Sequence, residues 1–307
     1  MSLITSTAPH IRSRLNTQKI MMNVIISLLP CALAGIFYFG YRAAIVMAVA
    51  MASAVAAEYV WQKLAKKPVK INDCSAAVTG LLLALCITPT APWWMVMIGS
   101  FFAIIVVKQL FGGIGDNFLN PALAARAVLL ASWPARMTAH IAVATFPGID
   151  VVASATPLAS GSASMMQLLC GQVPGAIGET CKIAILIGFV YLLVTKTITF
   201  EVPVVTMLSA FVLSWALGMD PVTTVLSGGL LFGAVYMATD YTTSPMNRWP
   251  RVIYAAGIGC MTVLIRKFGA YPEGVTYAIL LMNILTPLLD RMLPNRVYGH
   301  SRKKEAK

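Results

Sequence analysis

Ten apolar runs separated by short polar or glycine-rich connections dominate the pattern of this chain. They are Ile20 to Phe39, Ala43 to Trp61, Ser75 to Thr88, Trp93 to Leu110, Ala122 to Trp133, Ile183 to Thr195, Pro203 to Leu217, Val222 to Ala238, Val252 to Ile265 and Val275 to Leu289. Each reads as a helix in lipid. A complete crossing takes about 20 residues, so shorter runs such as Ser75 to Thr88 and Ala122 to Trp133 are expected as half-helices shielded by their neighbours. The expected fold class is an all-α integral membrane protein of about ten transmembrane helices, some short or broken.

Composition agrees with that pattern. Of 307 residues, 58% are hydrophobic and 11% charged, and the mean hydropathy of +0.78 is too high for an ordinary soluble domain. The net charge of +12 does not mark a nucleic-acid partner, because Lys and Arg flank apolar runs instead of lining one soluble face. Their natural partner is the anionic lipid of the cytoplasmic leaflet. Threading ten crossings from an inside N-terminus places sixteen of the 23 basic residues inside, including Lys63, Lys66, Lys67, Lys70 and the run Arg302 to Lys304. Outside lie five: Arg42, Arg136, Lys182, Arg266 and Lys267. The positive-inside rule therefore puts both termini in the cytoplasm. The chain then divides into a cytoplasmic segment 1–19, a first transmembrane half 20–133, an outward loop 134–182, a second half 183–290 and a basic tail 291–307.

A faint echo links the halves. Asp73 precedes the third run and Asp220 the eighth, while Phe111-Gly112 precedes the fifth and Phe268-Gly269 the tenth. A repeat of five spans, being odd, is inverted across the membrane. The first run follows Arg12, Arg14 and Lys19 as in a signal peptide, but it is long and more runs follow, so it reads as a retained anchor. The six cysteines form no C-x-x-C pair and have no histidines at metal-ligand spacing, so most read as small apolar residues and no metal site is expected. A Cys170–Cys181 disulfide in or beside the outward loop stays open, as does a cluster ligand offered to a neighbouring subunit.

Three stretches carry candidate chemistry. The segment Asp150-Val151-Val152-Ala153-Ser154-Ala155-Thr156-Pro157-Leu158 is, by composition, an ordinary Ser/Thr/Pro loop. Its threonine six positions after an acid, behind Ser154 and Ala155, resembles the acceptor sequence of flavin transferases, which join the phosphate of FMN to a threonine hydroxyl. Small neighbours expose such a hydroxyl for attack, and Ala153 stands where these acceptors usually carry Ser or Thr. In Phe111-Gly112-Gly113-Ile114-Gly115-Asp116-Asn117-Phe118-Leu119-Asn120-Pro121-Ala122, the glycines lack the spacing of a dinucleotide fingerprint and serve either close backbone packing or the approach of a flat ring. The helix N-terminus after Pro121 favours an electron-rich group. In Met237-Ala238-Thr239-Asp240-Tyr241-Thr242-Thr243-Ser244-Pro245, Asp240 either ends a helix, pairs with Arg248, or receives Na+ or a proton at the membrane boundary. Glu58, Lys108 and Arg126 are the other charges in or at the edge of spans, and each is expected to pair or to function. Glu58 joins Asp240 as an ion-path candidate, and Arg126 is the best placed to hold a flavin phosphate or ring edge.

Together the Thr156 acceptor, the Gly112, Gly113, Gly115 and Asn120 stretch, the Asp240 segment and the ten-run layout resemble one family over nearly the whole chain. It is the family that holds the membrane-embedded RnfD component of the Rnf electron-transport complex and its NqrB counterpart in the sodium-pumping NADH:quinone reductase. The short segment before Ile20 favours the Rnf type. The resemblance implies a multi-pass protein of the bacterial or archaeal cytoplasmic membrane. It implies covalent FMN on Thr156, attached by a flavin transferase, and a second, noncovalent riboflavin within the spans. It also implies electron transfer between ferredoxin and NAD+ with outward movement of Na+ or H+, alongside the A, B, C, E and G components of Rnf. A non-redox channel or solute transporter, or a scaffolding role, remains the competing expectation.

Overall fold

The computed structural model describes residues 16–140, 164–269 and 274–293, and all regular structure among them is helical. Helix α1 (Thr17–Phe39) turns into α2 (Tyr41–Leu64) at Gly40 alone, whose φ of +71° suits glycine. With α13 (Val275–Met292), these helices of 23, 24 and 18 residues are long and apolar enough to cross a bilayer. The other apolar helices are shorter: α3 (Ser75–Leu85), α4 (Trp93–Phe101, continuing as a π-helical segment Phe102–Gln109), α5 (Pro121–Ser132), α8 (Lys182–Val194) and α9 (Glu201–Ala216). Short helices α6 (Pro134–Met137) and α7 (Met165–Cys170) precede α8, and α12 (Arg248–Phe268) precedes α13. Asp150, Ser154, Ala155 and Thr156 lie outside the described residues.

The eighth run departs from the continuous helix expected over Val222 to Ala238. Helix α10 (Pro221–Leu226) stops at an extended Ser227, Gly228 turns with φ of +63°, and α11 (Leu230–Phe232) restarts and widens into a π-helical segment, Gly233–Met237. The Ser-Gly-Gly sequence explains the break, since two successive glycines remove the side-chain bias that keeps a helix running.

The stretch expected as an outward loop also departs in part, because residues 171–181 fold inward. The Gly178 N–H donates to the Leu85 carbonyl at 2.8 Å and the Ile177 N–H to the Ile87 carbonyl at 3.2 Å. Helix α3 is only eleven residues long and ends with open carbonyls, which this segment satisfies. Val173, Ala176, Ile177, Glu179, Thr180 and Lys182 are buried as a result, so Lys182 is not a solvated loop charge. All six cysteines are free, so Cys170 and Cys181 form no disulfide, and no group of three or more His, Cys, Asp or Glu that could hold a metal occurs among the described residues.

Packing is closest at α2 on α3 and α4, at α9 on α12, and at α1 on α8, while α5 meets α13. Glycines permit close helix approaches at two of these contacts. A Cβ at Gly80 on α3 would lie 2.6 Å from the Ala50 carbonyl oxygen of α2, and one at Gly259 on α12 would lie 2.4 Å from the Thr206 carbonyl oxygen of α9. Close backbones gain dispersion contacts where burial from lipid supplies little drive. Large apolar side chains such as Phe37, Val194, Leu208 and Trp215 are exposed, as on surfaces that lipid or another membrane protein covers.

Gly259→Val tests this packing. Overfilling the contact costs about 1–3 kcal/mol, so the variant melts at lower temperature in detergent by circular dichroism; an unchanged melting temperature contradicts the tight α9–α12 contact.

Candidate functional site

The two halves of the chain meet around a cavity of about 110 Å³. Val24 of α1, Val78 and Leu82 of α3, Leu192 of α8 and Val235 of the π-helical part of α11 give it apolar walls, while Lys108, Asn117 and Asp240 supply polar groups. Such a mixture, mostly apolar with a few directed polar groups, is typical of small-molecule sites.

Lys108 sits near the end of the π-helical segment of α4, where the wider winding re-aims side chains relative to a regular helix. It is 3% exposed and Glu58 on α2 is 2% exposed. The Lys108 Nζ donates to Glu58 Oε1 at 2.9 Å and to Ser75 Oγ at 2.6 Å. Gln109 Nε2 also donates to Glu58 Oε1 at 2.6 Å, and Gln62 Nε2 at 3.4 Å. Two of the buried charges singled out in the sequence are therefore each other's partners. Removing one member of such a pair costs about 3–5 kcal/mol, because the survivor stays buried and uncompensated.

The glycine-rich connection contributes Ile114, Asn117 and Asn120 to the cavity wall. Gly112, Gly113 and Gly115 have φ of +126°, +108° and +102°, a region that favours glycine. A Cβ at Gly112 would lie 2.5 Å from Asp116 Oδ2, whereas around Gly115 nothing lies within 4 Å. Asn117 and Asn120 both line the cavity, but Asn120 is largely committed to structure. Its Oδ1 accepts from the N–H groups of Ala122 at 3.1 Å and Leu123 at 3.3 Å, and its Nδ2 donates to the Met237 carbonyl at 3.3 Å. The N-terminus of α5 is thus capped by its own chain, and α5 is clamped to the end of α11. With its amide oriented to satisfy its neighbours, Asn283 accepts from the Asn120 N–H at 3.2 Å and donates to the Tyr254 hydroxyl at 2.7 Å.

Asp240 lies beyond the end of α11, in the connection to α12. Thr242 and Thr243 donate their hydroxyls to its Oδ2 at 3.2 and 3.4 Å. Loss of solvent pushes the carboxyl above its ordinary range, and the hydrogen bonds from Thr242, Thr243 and the Tyr241 backbone oppose that rise. Arg248, one expected partner, instead pairs with Glu201 at 2.7 Å, and Arg251 reaches the same carboxylate at 3.6 Å. Glu201 opens α9, where a carboxylate favours the helix N-terminus, and so it competes for both arginines.

At the break between α10 and α11 stands a second buried group of charges. Arg126 is 6% exposed and lies beside Glu179, a carboxylate of the same chain. A Cβ at Gly229 would lie 2.5 Å from Glu179 Oε2 and 3.8 Å from Arg126 Nη1. The Ala176 N–H donates to Glu179 Oε1 at 3.0 Å. Lys182 donates to the carbonyls of Glu179 and Gly228, and Arg266 to those of Thr224 and Ser227. These cations answer the open carbonyls of the broken helix. Glu179 was not singled out in the sequence because it lies in a stretch that reads as a solvated loop.

A family model described as "NQR2, RnfD, RnfE family" matches residues 4–299. The chain is 47% identical, over 100% of its own length and 99% of the relative's, to the D component of the Na(+)-translocating ferredoxin:NAD(+) oxidoreductase complex of Acetobacterium woodii. It is 40% identical to the D component of the proton-translocating ferredoxin:NAD(+) oxidoreductase complex of Clostridium ljungdahlii, over 97% of this chain and 96% of that one. A 37% identity links it to the D component of the ion-translocating oxidoreductase complex of Citrobacter koseri, over 96% and 98% of the two chains.

The Asp240 environment has a pH signature. A carboxyl raised in the folded state contributes stability that is complete below its unfolded value and lost as pH rises through its folded value. Asp240→Asn, which mimics the protonated form, therefore melts above the wild type by a margin that grows from pH 4 to pH 8; a margin that does not widen contradicts the assignment.

Proposed function

This chain belongs to the NQR2, RnfD, RnfE family, and from that premise we propose that it is the flavin-carrying RnfD component of an ion-translocating ferredoxin:NAD+ oxidoreductase, relaying electrons while Na+ or H+ crosses the membrane. It works with the A, B, C, E and G components of Rnf in the cytoplasmic membrane and is not catalytically complete alone. The observation that carries the reading is the cavity between the halves, with apolar walls and two charged side chains, Lys108 and Asp240, on its lining.

Ten crossings with both termini in the cytoplasm accord with the distribution of basic residues. Inverted five-span halves are supported by packing, since α2 lies on α4 as α9 lies on α12, and the like-placed pairs α1 with α8 and α5 with α13 touch. The echoed aspartates also act alike. Asp73 Oδ1 accepts from the Ser75 N–H at 3.0 Å and Asp220 Oδ1 from the Val222 N–H at 3.2 Å, each two residues on at a helix start.

FMN is carried covalently on Thr156, within the acceptor segment that includes Asp150, Ser154 and Ala155, and is attached by a flavin transferase on the outer side. Riboflavin is held without a covalent bond in the inner cavity. The residues there fit it: Val24, Val78, Leu82 and Val235 suit the faces of a flat ring, and Lys108 and Asn117 suit its polar edge. When bound, an isoalloxazine supplies the acceptance and release of electrons. The chain's own residues exclude water, orient the ring and, through Asp240, offer a carboxylate to the coupling cation.

The half-helix α3 and the broken α10–α11 element also suit a solute transporter, and one experiment separates the two. Wild-type protein from cells that express the transferase fluoresces under ultraviolet light on a denaturing gel, whereas Thr156→Ala is dark and loses ferredoxin-to-NAD+ electron transfer. A dark wild-type band, or full electron transfer in Thr156→Ala, overturns the relay.

A further inference from the structure

We infer that a second cavity, where α8 ends and α9 begins, binds the phosphate of an acidic phospholipid, with Lys196 and Arg251 as its cationic contacts. The basic residues assign this end of the helices to the cytoplasm, so the lipid comes from the inner leaflet. The inference does not rest on the flavin reading, because Lys196 and Arg251 line the second cavity and not the first.

The turn of residues 195–200, the connection after α11 and the start of α12 line this cavity of about 150 Å³. Its charged groups are donors only. A guanidinium has five N–H groups, and three of those on Arg251 are committed: Nε donates to the Pro245 carbonyl at 3.2 Å, Nη2 to the Met246 carbonyl at 2.8 Å and Nη1 to Thr199 Oγ1 at 3.3 Å. These bonds fix the guanidinium plane and leave two N–H groups. Thr199 keeps its own hydroxyl proton to give, and neither Ser244 Oγ nor the Lys196 ammonium has a partner among the described residues. No carboxylate is on the lining. Glu201 pairs with Arg248 at 2.7 Å and stands 3.6 Å from Arg251, so Lys196, Arg248 and Arg251 outnumber the one acid beside them.

Lys196 closes α8 in a left-handed turn. Its N–H donates to the Leu193 carbonyl at 3.0 Å and that of Thr197 to the Leu192 carbonyl at 3.0 Å, with φ of +54° at Lys196, where glycine is usual. What lysine adds over glycine at that position is an ammonium on the cavity lining. The surroundings favour a lipid over a soluble anion. Val194 and Phe200 bracket the turn and are exposed, and exposed rows run on into the spans, Val190 and Val194 on α8 and Val204 and Leu208 on α9, each spaced by one helical turn. Helix α8 packs on α1 and α9 on α12 instead of closely on each other, while α11 touches both, so the two helices stand apart and offer acyl chains apolar rows to lie along. Tyr241 and Trp249, also exposed, suit headgroup depth. A phosphodiester at the cavity accepts charge-assisted bonds from both cations, the chemistry by which basic pockets between helices select acidic headgroups.

The test titrates delipidated full-length protein, in neutral detergent, with phosphatidylglycerol, phosphatidylcholine or glycerol 1-phosphate, and reads the bound ligand by native mass spectrometry. Phosphatidylglycerol binds about tenfold tighter than phosphatidylcholine, whose choline cancels the phosphate charge, and than glycerol 1-phosphate, which has no chains. Lys196→Gly suits the left-handed position, so it keeps or raises the melting temperature, and it weakens phosphatidylglycerol binding about tenfold through loss of one charge-assisted bond. Lys66→Gly, at the end of α2 where φ is +53°, removes the same charge from the same side of the membrane and leaves binding intact. Equal losses in the two variants mean diffuse surface charge, equal binding of the two lipids means no headgroup selection, and equal binding of glycerol 1-phosphate means a soluble anion; each overturns the site. In the purified complex the same Lys196→Gly loss is expected, and its absence there, as when another subunit covers this face, overturns the lipid as occupant.

Discussion

An ammonium and a carboxylate sealed together beneath apolar surfaces constrain the first half of this chain. Lys108 and Glu58 are almost completely buried, and neither can leave the other without stranding a charge. The pair binds α2 to α4 and, through Ser75, to the start of α3, the three helices that also pack most closely in the first half. Gly80 lets α3 approach the α2 backbone, and the π-helical winding of α4 carries Lys108 to the cavity wall. The same contacts that fix the helices thus place a cation beside the cavity.

Interrupted helices are the second theme, and each interruption is answered by a specific partner. The inward segment 171–181 satisfies the end of α3, Asn120 joins the start of α5 to the last carbonyl of α11, and Lys182 with Arg266 holds the carbonyls at the break before α11. Irregular backbone at membrane depth survives only where such partners exist. The interruptions gather between the two halves, which is where the cavity lies.

Much of this was legible in the residues. Each of the ten apolar runs contains helix, because a long apolar stretch has few alternatives, and the aspartates noted before the third and eighth runs both accept a backbone N–H at a helix start. Partners distant in sequence were not legible. Glu58 and Lys108 are separated by fifty positions, and nothing in either neighbourhood names the other. Arg248 has a nearby Asp240 in sequence, yet Glu201 takes it because α9 and α12 pack face to face. Glu179 hid in a polar stretch that periodicity assigns to solvent, and its burial follows only from the shortness of α3. The Thr156 acceptor, outside the described residues, stands on its sequence.

Cryo-electron microscopy of the purified complex reads the content of the inner cavity without an intermediary. The expected density is a flat, ring-shaped feature between Val78, Leu82 and Val235, within hydrogen-bond reach of Lys108 Nζ. A cavity closed by side chains, or filled only by an acyl chain, contradicts a flavin there and the electron relay built on it.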